Sequence, residues 1–157
     1  MSLQPLMKLR GAGLRIGIVT ARFNAEIGEQ LLAGARKALA EMGVVARDVA
    51  ELTVPGALEI PLALQALAAT EAFDALIALG CVIKGDTYHF EVVSNESASG
   101  ISRVGLEFDV AIGNGVLTTL TEAQANERAA QKGFEAAQAA VEMALLQEWA
   151  HAQFGES

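Results

Sequence analysis

Apolar and polar positions along the chain alternate in a repeating pair: a short β-branched run, then a longer stretch with apolar residues every three or four positions. The first run, Ile16, Ile18 and Val19, gives way to the polar residues Thr20 to Asn24 and predicts a strand. Ile27, Leu31, Leu32, Ala35, Ala38, Leu39 and Met42 then keep helical spacing, with Gly43 as the stop. Val49 to Val54 predicts a second strand and Pro55–Gly56 a turn. A helix resumes near Leu62, with Pro61 in its first turn, where a missing N–H removes no helical bond. Ala75 to Val82 is almost unbroken in apolar character, as strands covered on both faces are. After Phe90 a third helix is predicted to about Leu106, with Gly100 inside it at some cost. Val110 to Leu117 predicts a fourth strand, interrupted by Gly113-Asn114-Gly115. Thr121, with Gln124 three residues on, forms a capping box for a last helix running through Phe134, Val141, Leu145 and Trp149. That helix is rich in alanine, and since small side chains permit close approach, packing between subunits is its expected use.

Four strand–helix alternations with short connections predict an α/β fold: a three-layer α/β/α sandwich around a four-stranded parallel, flavodoxin-like sheet. The 157 residues suit one domain, 1–157, in which 1–12 read as an N-terminal extension and 150–157 as a flexible tail. Hydrophobic residues make up 52% and charged residues 19%, apolar enough that part of the surface is expected to meet other subunits. The net charge of −8 supplies no basic stripe for nucleic acid. An anionic substrate therefore has to be held locally, by cations such as Lys84, Arg128 or Lys132 and by backbone N–H groups. One cysteine, Cys81, rules out an intrachain disulfide and a cysteine metal cluster. The two histidines, His89 and His151, lack ligand spacing, so no metal site is expected. No long apolar run or signal-peptide pattern is present, and a cytoplasmic protein without a membrane partner is the expectation.

The predicted strand ends Phe23–Asn24, Pro55–Glu59 and Cys81–His89 should gather on one rim, where open parallel sheets bind ligands. His89 is the candidate for proton transfer near neutrality. Residue by residue, plainer readings stay open. A lone histidine can be structural, Phe23 can pack at the rim, and Glu59 can be a solvated acid at a helix start. Arg128 can pair with Glu127 or Glu135, and Lys84 can simply be solvated. His151 reads as a solvated tail residue, and Cys81 as a small inert filler whose backbone matters more.

Five segments in order, ARFN, VPGALEIP, GCVIKGDTYHF, SNESASGI and GVLTTLTEAQANERA, resemble those of the lumazine synthase family, over about Gly11 to Ala144. The resemblance implies condensation of 5-amino-6-(ribitylamino)uracil with 3,4-dihydroxy-2-butanone 4-phosphate, releasing phosphate and water, without metal or organic cofactor. It implies that the uracil ring stacks on Phe23 and that the ribityl chain and ring edge meet Ala57, Leu58 and Glu59. Backbone at Cys81, Val82 and Ile83 would bond the heterocycle, Asp86 and Thr87 take the phosphate, and His89 move protons. A neighbouring subunit would supply Asn114, the phosphate-binding Arg128 and Lys132, so the resemblance also implies a homo-oligomer with intersubunit sites.

The sequence departs from the family pattern at Asn114, where many relatives carry phenylalanine. It departs again at RAAQKG, shorter than the form associated with icosahedral shells, which favours a free pentamer. A non-catalytic lumazine- or flavin-binding protein and a structural assembly protein of the same fold are the alternatives. Retention of His89 and Arg128 speaks against the first.

Overall fold

The computed structural model describes residues 9–155; the other residues of the expected extension and tail lie outside that range. Strands β1 (Ile16–Ala21), β2 (Val49–Val54), β3 (Ala75–Ile83) and β4 (Ala111–Thr119) alternate with helices α1 (Ala25–Glu41), α2 (Ile60–Ala69), α3 (His89–Phe108) and α4 (Glu122–Phe154). Single 3-10 turns precede β2, at Ala46–Asp48, and α2, at Ala57–Glu59. The sheet is wholly parallel in the order β2-β1-β3-β4. The expected α/β/α sandwich is therefore the fold.

Strand periodicity divides the core in two. Ile16 and Ile18 of β1 join Ile77, Leu79 and Cys81 of β3 beneath α1 and α4. On the other face Val19, Ala21, Leu76, Ala78 and Val82 meet α2 and α3. Burying each large aliphatic side chain contributes about 1.5–3 kcal/mol before the entropy of ordering is counted. The central strands β1 and β3, buried on both faces, thus anchor the molecule.

Two sequence expectations are corrected. Gly113-Asn114-Gly115 does not interrupt β4, which pairs with β3 without a break from Ala111↔Ala75 to Thr119↔Ile83. A Cβ on Gly113 would strike the Ala136 carbonyl of α4, and one on Gly115 would lie 2.6 Å from the Leu79 side chain. These glycines let a helix lie close against a strand. Nor does the small-residue stripe of α4 face another subunit: Ala125, Ala129, Gly133, Ala136, Ala137 and Ala140 are buried within this chain. Gly34 of α1 abuts the Ala130 carbonyl, and Gly133 abuts that of Leu31, so α1 and α4 pack backbone to backbone.

Other local signals appear as read. Gly43 takes a left-handed conformation (φ 88°) just past α1. The Thr121–Gln124 capping box is formed in both directions. Gly100 of α3 faces Pro61 of α2, whose ring would lie 2.6 Å from an added Cβ, so its cost in helix propensity secures close helix packing. Helix α4 continues to Phe154, which makes residues 150–154, the first part of the expected tail, helical.

Candidate active site

Each of the three strand ends acquires its shape from a local backbone decision. Beyond β1, Arg22 N–H donates to Val54 C=O (2.8 Å) and Phe23 N–H to Pro55 C=O (3.1 Å). These bonds set Phe23 beside the end of β2, with the residue 73% exposed. After β2, Pro55–Gly56 leads into the turn Ala57–Glu59, closed by Glu59 N–H donating to Gly56 C=O (3.1 Å). Gly56 lacks a Cβ where the Glu59 carboxylate folds back, at 3.3 Å from that position. Ala57 is buried under this turn, and Leu58 is exposed on it.

The end of β3 differs from the other two because its neighbours stop at different heights. Pairing of β1 with β3 ends at Thr20↔Leu79, whereas β4 accompanies β3 to Ile83↔Thr119. Cys81, Val82 and Ile83 consequently have one flank open. The loop Lys84–Tyr88 then delivers His89 as the first residue of α3, whose opening residues Phe90 and Val93 also line the crevice, Val93 on the same helical side as His89.

These segments enclose a crevice of about 440 Å³. Nine of the expected residues line it: Phe23, Ala57, Leu58, Glu59, Cys81, Val82, Ile83, Thr87 and His89. Asp86 is exposed on the same loop, outside the lining. Asn114 lies elsewhere, exposed in the middle of β4, where its Oδ1 accepts from Val116 N–H (2.9 Å). Arg128 and Lys132 are on α4 and do not line the crevice. The Arg128 guanidinium donates to the Gln124 carbonyl (2.9 Å) and stands 3.5 Å from the Glu127 carboxylate. Lys84 is exposed at the rim, its N–H bonded to Thr119 C=O (2.9 Å).

The crevice also recruits Pro55, Gly56, Gly85, Phe90 and Val93, which residue chemistry alone had not singled out. For Val93 a signal existed, since it stands four residues after His89, the spacing of one helical side. Asn24, expected at the rim but given no role there, donates its side-chain N–H to the Cys81 carbonyl (3.0 Å), and no sequence pattern says where an amide points.

Burial pushes the Cys81 thiol up to about 11, aided by the charge of Glu122 and opposed by a hydrogen bond with Thr119. The thiol is therefore neutral near pH 7 and unsuited to nucleophilic attack. Among the described residues, no group of three His, Cys, Asp or Glu is placed to hold a metal ion. No helix of the described residues is long and apolar enough to cross a membrane.

The crevice offers a largely apolar floor and an exposed aromatic ring for a planar heterocycle, and strand backbone with an open flank to bond its edge. An imidazole stands at its mouth. No side chain caps α3 at its N-terminus, so first-turn N–H groups there can meet an anion. Yet among the described residues no lysine or arginine lines the crevice.

A family model described as 6,7-dimethyl-8-ribityllumazine synthase matches residues 13–148. The chain is similar to proteins of that name from Ralstonia pickettii (59% identical over 138 residues, 88% of this chain and 83% of the relative). It is also similar to those from Nitrosomonas europaea (56% over 138 residues, 88% and 84%) and Laribacter hongkongensis (55% over 141 residues, 88% and 90%).

Proposed function

The chain belongs to the 6,7-dimethyl-8-ribityllumazine synthase family, a transferase family of riboflavin biosynthesis, and from that premise we propose how its crevice carries out the reaction. The crevice binds 5-amino-6-(ribitylamino)uracil, with its ring on Phe23 and its edge against the backbone of Cys81, Val82 and Ile83. Glu59 and the turn at Ala57 and Leu58 meet the ribityl chain. The second substrate, 3,4-dihydroxy-2-butanone 4-phosphate, places its phosphate beside Asp86, Thr87 and the N-terminus of α3. His89 transfers the protons of imine formation, phosphate loss and ring closure, since imidazole both gives and takes protons near neutrality. Holding two reactants together supplies much of the acceleration, about 7–11 kcal/mol where geometry is good. No cofactor is invoked for these steps.

The observation that carries this reading is the gathering of nine expected residues around one crevice at the C-terminal rim of the sheet. A second observation favours an assembly. A departing phosphate calls for concentrated positive charge, and the crevice lining contains none. Arg128, in the first turns of α4, is exposed, and its partners among the described residues are all on its own helix. A neighbouring copy that brings its Arg128, with Lys132 and Asn114, to this crevice completes the site in a cytoplasmic homopentamer.

Incubating the purified protein with both substrates, while following lumazine absorbance and phosphate release, tests the reaction. Stoichiometric appearance of both products is expected. Affinity for the uracil without turnover would instead favour a binding protein of the same fold. Light scattering reports the assembly state, expected to be five copies.

A further inference from the structure

Asn24 sits between two parts of the crevice without lining it. It is the N-cap of α1 and adopts a left-handed conformation (φ 61°, ψ 51°), yet its side chain makes no capping bond. Asparagine is favoured at N-caps because its side chain can bond helix N–H groups. Here the amide turns away and donates to the carbonyl of Cys81, 57 positions along the chain, at 3.0 Å.

The acceptor lies on the open flank of β3. Pairing with β1 has ended at Leu79, and Lys84 N–H, bonded to Thr119 C=O, points toward β4. Backbone groups of a parallel strand alternate sides, so those of Cys81 and Ile83 face away from β4, toward the end of β1. Asn24 occupies one site on that flank with a side chain, where a strand would otherwise continue the ladder. The residue just before it is Phe23, and its backbone is continuous with the start of α1.

We propose that Asn24 is a positioning residue: its amide ties the aromatic ring at Phe23 to the backbone strip Cys81–Ile83, fixing the gap into which the planar heterocycle slides. This rests on the reading of the crevice as the ring-binding site. Without the bond, the end of β1 and the end of β3 lose their only side-chain tie among the described residues. The ring wall is then held by its backbone bonds to Val54 and Pro55, with no direct bond to fix its distance from the hydrogen-bonding edge. The phosphate end, on the loop before α3, is untouched.

Two variants separate this role from the backbone role of the position. Asn24→Asp keeps size, N-cap fitness and tolerance of the left-handed conformation but replaces the donor with an acceptor facing a carbonyl. Asn24→Gly keeps the conformation and deletes the side chain. Both are expected to melt near the parent. Both should raise KM for the ribitylaminouracil, and the calorimetric Kd of 6,7-dimethyl-8-ribityllumazine, by about tenfold, the worth of one hydrogen bond. KM for the butanone phosphate should change by less than about twofold, because its end of the site keeps every contact. Parental KM and Kd in both variants would overturn the proposal, as would equal losses for both substrates or failure of both variants to fold. Absence of product binding and turnover in the parent would overturn the underlying reading and the proposal with it.

Discussion

At the scale of single residues, His89 and Cys81 show how position decides chemistry. His89 is exposed at the head of α3 and lines the crevice, which suits it to exchange protons with a bound ligand. His89→Ala is expected to lower kcat by about a hundredfold without abolishing turnover, because positioned proton transfer contributes that order while reactant proximity survives. Steady-state kinetics with both substrates check this, and unchanged kcat would remove His89 from its role. Cys81 lines the same crevice with a buried thiol raised to about 11 from an ordinary value of 9.0. Its folded form stays protonated where the unfolded chain ionises, so its contribution to stability is full below about pH 9 and fades as pH rises toward 11. Iodoacetamide should leave the folded protein almost unlabelled at pH 8 and label it readily once urea has unfolded it. Both residue types were legible in the sequence. The direction of the Asn24 amide was not, because a side-chain bond across 57 positions leaves no local pattern.

At the scale of elements, periodicity revealed every strand and helix, while glycines and alanines required tertiary contacts to interpret. Gly113, in a polar-looking GNG, reads equally as a turn or as a place where a backbone approaches closely. Only the position of Ala136 on α4 decides for the second. The α4 stripe has the same history: small residues announce close packing without saying against what. Gly133→Ala should therefore destabilise the protein, since its Cβ meets the Leu31 carbonyl and α1 must shift. Urea unfolding should show a loss of about 1–3 kcal/mol, in the range of overpacked cores. Thr121→Ala removes one half of a formed capping box and should cost about 1 kcal/mol, with no change in KM for either substrate. A loss much smaller than that in the first variant would mean the two helices do not meet backbone to backbone.

At the scale of the whole molecule, apolar walls, a hydrogen-bonding edge and an imidazole line the crevice, while among the described residues no lysine or arginine does. On the proposed reading, a closed ring of identical chains would bring positive charge to the crevice by symmetry, each copy lending Arg128 to the next. Arg128→Ala is expected to raise KM for the butanone phosphate and depress turnover, by two orders of magnitude or so if the fork bonds phosphate in the transition state. The intersubunit arrangement makes a sharper prediction. Unfolding and refolding His89→Ala and Arg128→Ala together should restore about a quarter of parental activity, because random rings hold some seams with both groups intact. Complementation absent from rings shown to be mixed would place both groups in one chain.

The sequence by itself determined the order of elements, the strand ends that meet at the rim and most residues of the crevice. Those follow from periodicity and from the rule that parallel strands present their C-terminal ends together. Only the tertiary structure decided that the GNG segment stays in the strand, that the alanines of α4 turn inward, and that Arg128 lies outside the crevice of its own chain. The physical reason is that burial patterns are written in short-range spacing, whereas backbone clearance and side-chain direction depend on atoms far along the chain.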